Sequence, residues 1–164
     1  MIVARRLILT FAAASLLAAC ASHKENQKIF SGRFSLIYRS ENPENFSGKF
    51  RLRVGLDEST LELMTPLSGI VAVVTESSSE ATFRRSLMDP PTTGKNAQEL
   101  SLKLIGIPIP LEFMKKVLIQ DRSFGKIQSE GWTAESLNSR LIKLSTMLRG
   151  RPLEIKIVLD ADEA

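Results

Sequence analysis

Between Leu61 and Val74 the chain reads LELMTPLSGIVAVV, two short β-type runs joined by Pro66-Leu67-Ser68-Gly69. In the first run Leu61, Leu63 and Thr65 fall on one side of an extended chain and Glu62 and Met64 on the other, while the second run is almost wholly apolar and β-branched. Pro66 presets φ and Gly69 supplies conformational freedom, so the pair predicts an antiparallel hairpin. Leu67 is an apolar side chain at a tip where polar residues are the norm. Either it folds back on the neighbouring strand, or it projects into something apolar outside the protein, such as a bilayer.

The runs upstream carry the same period of two. Gly32 to Arg39 sets Phe34, Leu36 and Tyr38 on one side. Asn45 to Val54 sets Phe46, Gly48, Phe50, Leu52 and Val54 against Ser47, Lys49, Arg51 and Arg53. Both read as half-buried antiparallel strands, with a turn at residues 40–45. Ala81 to Leu87 alternates again, and Asp89-Pro90-Pro91-Thr92-Thr93-Gly94 reads as a break in the sheet.

A helical episode follows. Asn96 is an N-cap with Glu99 three residues on, Ala97, Leu100, Leu104 and Ile105 share a helical stripe, and Gly106 ends it. Ile107-Pro108-Ile109-Pro110 is an extended elbow, because each residue before a proline is pushed out of the helical region. A second helix, Leu111 to Ile119, is apolar over more than half its circumference, so it is either wedged in the core or lines a cavity. Strand patterns resume at Phe124–Ser129, Trp132–Glu135, Arg140–Leu148 and Leu153–Asp160. Some ten short strands and two helices predict a mainly β, α+β domain: a curved antiparallel sheet closing toward a barrel, with the helices across an opening.

The N-terminus has a basic start at Arg5 and Arg6, an apolar stretch from Leu7 to Leu17, and Leu17-Ala18-Ala19-Cys20, which resembles the bacterial lipoprotein box. Three parts are expected: a signal peptide (1–19), a lipidated N-terminus and tether (20–28) beginning at acylated Cys20, and one folded domain (29–164). Cys20 is the chain's one cysteine, so neither a disulfide nor a catalytic thiolate is available. Ala21, where retained inner-membrane lipoproteins typically carry aspartate, points to the outer membrane.

Loss of Arg5 and Arg6 lowers the formal charge from +4 to +2, so the mature chain is nearly balanced. The cations on Lys49, Arg51 and Arg53 read as a solvated strand face without the interleaved aromatics of a single-strand binder, and no nucleic-acid partner is expected. The one histidine, His23, lies in the tether, so no Ser-His or Cys-His pair can be built, and there is no glycine-rich phosphate loop. No enzyme activity and no cofactor are expected.

Gly32-Arg33-Phe34 with Tyr38, Asn45 to Phe50, Leu61 to Gly69 with its Pro66-Leu67 tip, Gly106 to Leu111, Gly131-Trp132 and Ile155-Lys156-Ile157 stand in order behind the lipoprotein box. This set resembles the LolB family of outer-membrane lipoprotein receptors and covers most of the mature domain. The resemblance implies an unclosed β-barrel with helices over its mouth, enclosing an apolar cavity. It implies that the cavity takes acyl chains from a LolA-like periplasmic lipoprotein carrier, and that the lipoprotein is delivered to the outer membrane. It also makes Leu67 an exposed residue used in membrane insertion. Family members often carry tryptophan where this chain has Leu52 and Val117. The cavity face is expected among Phe34, Leu36, Phe50, Leu52, Leu61 and Leu63, with Lys49, Arg51 and Arg53 outside, in a protein that acts as a monomer. The alternative is a structural envelope lipoprotein with a filled barrel, docking a protein partner through its charged faces.

Overall fold

A computed structural model of the chain describes residues 27–40, 44–66, 69–120 and 124–161. The strands are β1 (Lys28–Tyr38), β2 (Glu44–Val54), β3 (Glu58–Thr65), β4 (Gly69–Ser77), β5 (Ala81–Arg84), β6 (Thr92–Gly94), β7 (Lys126–Ser129), β8 (Trp132–Ser136), β9 (Leu141–Leu148) and β10 (Arg151–Leu159). The helices, α1 (Ala97–Ile105) and α2 (Leu111–Ile119), lie between β6 and β7 in the chain.

All ten strands form one antiparallel sheet in the order β6-β5-β4-β3-β2-β1-β10-β9-β8-β7. Two meanders, β1–β6 and β7–β10, are fused where β1 pairs with β10, from Gly32↔Leu159 to Tyr38↔Leu153. The edge strands β6 and β7 do not pair, so the barrel stays open, and the helices lie in the connection between those two edges.

The period-two patterns decide which face is inside. Leu52 stands opposite Leu61, and Leu61 opposite Val74; their exposures are 0%, 1% and 0%. Across the fused seam, Leu153, Ile157 and Leu159 of β10 are equally closed off. The outer face carries Arg51 and Arg53, which both pair with Glu62 directly across from Arg51. Two glycines let the strands approach closely. A Cβ on Gly32 would stand 2.1 Å from the Val158 carbonyl oxygen, and one on Gly48 2.1 Å from that of Met64. No other residue fits these positions without backbone movement.

α1 starts where expected. Asn96 Oδ1 accepts the Glu99 N–H at 2.7 Å, and Gly106, at φ 75°, closes the far end with its N–H on the Leu102 carbonyl. α2 is wedged in the core, with Leu111, Phe113, Met114, Val117 and Leu118 buried. Several expectations differ from the fold. β1 begins at Lys28, one residue before the expected start of the folded domain, with Lys28 opposite Val54 of β2. β5 ends at Arg84 rather than Leu87, and β7 begins at Lys126 rather than Phe124. Thr92–Gly94, read as part of a break, forms the edge strand β6, because prolines that cannot donate end just before it and a three-residue edge pairs on one side only. Phe46, in phase with Phe50, is 51% exposed because it lies toward the open end of the sheet, beyond the point where β3 pairs with β2 at Lys49↔Met64.

Phe50→Asp should cost at least the ~3–5 kcal/mol of emptying a buried phenylalanine site and leave little folded protein, since the carboxylate would have no partner. Arg51→Glu, on a side chain 53% exposed, should shift stability by about 1 kcal/mol or less. Urea unfolding of the two variants measures both; equal losses would reverse the assignment of faces.

Candidate functional site

An apolar pocket of about 230 Å³ opens on the concave face, between β1–β5, the last residue of α1 and the elbow that follows it. Phe34, Leu36, Phe46, Leu63, Val71, Ala72 and Phe83 line it from the sheet, and Ile105, Ile107 and Ile109 from the helical side; Ser47 and Thr65 supply hydroxyls at its margin. Pairing of β3 with β4 shifts from Leu63↔Ala72 to Met64↔Ile70, leaving Val71 unopposed. At this bulge the consecutive residues Val71 and Ala72 both border the pocket.

The elbow is held by one side chain. Ser101, fully buried on α1, accepts the Ile109 N–H at 2.8 Å and donates to the Gln98 carbonyl at 3.2 Å. The elbow therefore runs back along α1, with Ile107 and Ile109 turned to the pocket wall. Ser101→Ala would orphan the Ile109 N–H in a buried setting, at about 1–3 kcal/mol. A lower melting temperature, together with weaker binding of an apolar dye, is the expected outcome.

Of the residues anticipated from sequence, Phe34, Leu36 and Leu63 border this pocket, whereas Phe50, Leu52 and Leu61 lie behind it in closed core, each at most 1% exposed. Cys20 and Leu67 lie outside the described residues. The elbow isoleucines, Ile105, Phe83 and the Val71-Ala72 pair were not anticipated. The i, i+2 spacing of Ile107 and Ile109 on an extended segment was a usable signal for two of them. The bulge that exposes Val71 and Ala72 together has no local signature.

The other end of the molecule is polar. Clefts of about 380 and 530 Å³ are bordered there by Glu76, Asn96 and Glu112, with Glu130 in the first and Lys115 in the second. Glu76 is buried at the start of α1, where its Oε1 accepts the Ala97 N–H at 3.1 Å. Burial raises its carboxyl above the ordinary 4.5, and the carboxylates of Glu112 and Glu130 add to the rise. A raised carboxyl pKa means that the ionised form is disfavoured in the fold. The penalty is fully present above the folded pKa and is relieved as pH falls through it toward the ordinary carboxyl value. Glu76→Gln keeps the acceptor without the charge, so it should be at least as stable as the parent at neutral pH, with the advantage shrinking in acid; melting curves from pH 7 down to 4.5 test this. Among the described residues no three His, Cys, Asp or Glu are grouped as a metal site requires, and no helix is long and apolar enough to cross a membrane.

The chain is an open antiparallel half-barrel with an apolar pocket beside its short helical cover. The family model for the outer membrane lipoprotein LolB matches residues 28–122, and the chain belongs to that family: it is an outer-membrane lipoprotein of the lipoprotein-localisation system. No curated protein matches the chain. Among solved structures it is similar to an SsgA-like sporulation-specific cell division protein from Thermobifida fusca. That similarity stands at 10% identity and a TM-score of 0.33 over 86% of this chain and 77% of the other, and it carries no argument about function.

Proposed function

We propose that the chain is the acceptor at the end of the sorting route: anchored through Cys20, it takes lipoproteins from a LolA-like periplasmic carrier into the apolar pocket and inserts them into the outer membrane. The carrying observation is the pocket itself, whose lining is apolar apart from two hydroxyls at its margin. On this reading residues 1–19 are the signal peptide, 20–28 the lipidated tether and 29–164 the receptor domain, which faces the periplasm as a monomer without enzymatic activity. Phe34, Leu36 and Leu63 touch the acyl chain, Phe50, Leu52 and Leu61 support them, and Leu67 enters the bilayer at release.

At about 230 Å³ the pocket is smaller than the about 300–1,000 Å³ typical of sites for drug-sized ligands. It takes a segment of one acyl chain as it stands, and a fuller load requires α1 and the elbow to lift from the sheet. Burial is worth about 0.8 kcal/mol per CH₂, but the carrier buries the same chains, so most of this cancels on transfer. Small differences in pocket affinity then set the direction.

The test loads the wild type and Leu67→Glu with a lipoprotein from the carrier, adds liposomes, and follows transfer to the membrane fraction beside the melting temperature. The variant should bind a fluorescent fatty-acid analogue, melt normally, accept cargo, and fail at release, because a carboxylate forfeits the ~1.5–3 kcal/mol of leucine transfer and adds a desolvation cost. Normal delivery would remove the insertion role. Failure of the wild type to bind the analogue would favour a structural envelope lipoprotein instead.

A further inference from the structure

Leu87 and Met88 stand side by side in the β5–β6 connection and are 58% and 93% exposed. The turn that bears them is a built one. Ser86 Oγ accepts the N–H groups of Met88 and Asp89, each at 3.2 Å, and Pro90-Pro91 stiffens the exit. At its root, Arg85 donates to the Leu104 carbonyl at 3.4 Å, tying the connection to the end of α1. Two adjacent large apolar side chains are thus held out in water by a turn with little freedom.

The register says where they are held. Arg84 stands opposite Val73, and β4 begins at Gly69, so β5 runs toward the β3–β4 connection and the chain beyond Arg84 emerges at that end of the sheet. Phe46, 51% exposed, and Ile105, 40% exposed, border the pocket at the same end. Cations accompany them: Arg84 and Arg85 at the root of the connection and Lys103 in the last turn of α1, against the single acid Asp89 in residues 84–91. An apolar tip on a basic root beside an apolar opening matches the layered chemistry of a bilayer surface, phosphate outside and hydrocarbon within.

We infer that the Arg84–Pro91 connection is a membrane-contacting element in its own right: Leu87 and Met88 enter the interfacial layer of an anionic bilayer, and Arg84 and Arg85 meet lipid phosphates, which brings the pocket mouth against the membrane. This rests on the protein's place at the outer membrane and is independent of what the pocket holds, so fatty-acid binding and loop insertion can fail separately.

The full lipidated chain carrying Met88→Trp is reconstituted on phosphatidylethanolamine–phosphatidylglycerol vesicles with bromine on the acyl chains near the headgroups. The native tryptophan, Trp132, is 1% exposed and provides a constant background. The added emission should shift to the blue and be quenched by the brominated lipid, with the melting temperature unchanged. Adding Arg84→Gln should lower the ratio of inserted to free loop about fivefold, the worth of one cation beside an anionic surface, and should do so only when phosphatidylglycerol is present. Emission that stays at its aqueous position without quenching overturns the proposal. Protection that arises only when a loaded periplasmic carrier is added also overturns it and assigns the patch to a protein partner.

Discussion

The structure depends on one unmet geometrical demand. A ten-stranded sheet that curls without closing has an apolar concave face and, among the described residues, no second sheet to cover it. The cover is two helices of nine residues, each about 13 Å long, whereas β1 and β2, at eleven residues, reach about 36 Å. Helices that short cannot shield the whole face. Where α2 sits, the face is dry core; where α1 ends and the elbow turns back, apolar sheet remains uncovered, and that remainder is the pocket.

The same helices sort the charges. The residues opening α1 and α2 border a common cleft at the polar end, where the positive ends of the helix dipoles favour anions, and Glu76, Glu99 and Glu112 are found there. α1 closes at the opposite end with Lys103 in its last turn and Arg85 on the Leu104 carbonyl. The molecule is therefore acidic and polar at one end, and basic with exposed apolar side chains at the end where the pocket opens. This polarity presents the pocket mouth and the exposed apolar residues together, as the proposed exchange of lipidated cargo at a membrane would require.

Stability and pocket shape meet in a few small groups. The Ser101 hydroxyl holds the elbow against α1, and Gly32 and Gly48 let neighbouring strands come closer than any side chain would permit. Larger residues at these points would displace the elbow or the strands, and with them Ile107, Ile109 and Phe34 on the pocket wall.

Much of this was written locally. Period-two alternation identified the strands other than β6 and most of their inner faces, because burying one face of a pleated sheet imposes that pattern on any chain that forms it. Both helices fell within their expected limits, since Asn96, Gly106 and the two prolines are caps and breakers whose effect is confined to neighbouring residues. What alternation cannot express is position along a face. Phe34 and Phe50 have the same phase, yet one lines the pocket and the other is closed core, a difference made by where the helices end. The pairing of β1 with β10, the bulge at Val71 and the return of the elbow along α1 join residues distant in the chain or depend on their partner strands. Only the assembled sheet and its short helical cover decided them, because the site is the part of an apolar face that the rest of the fold leaves uncovered.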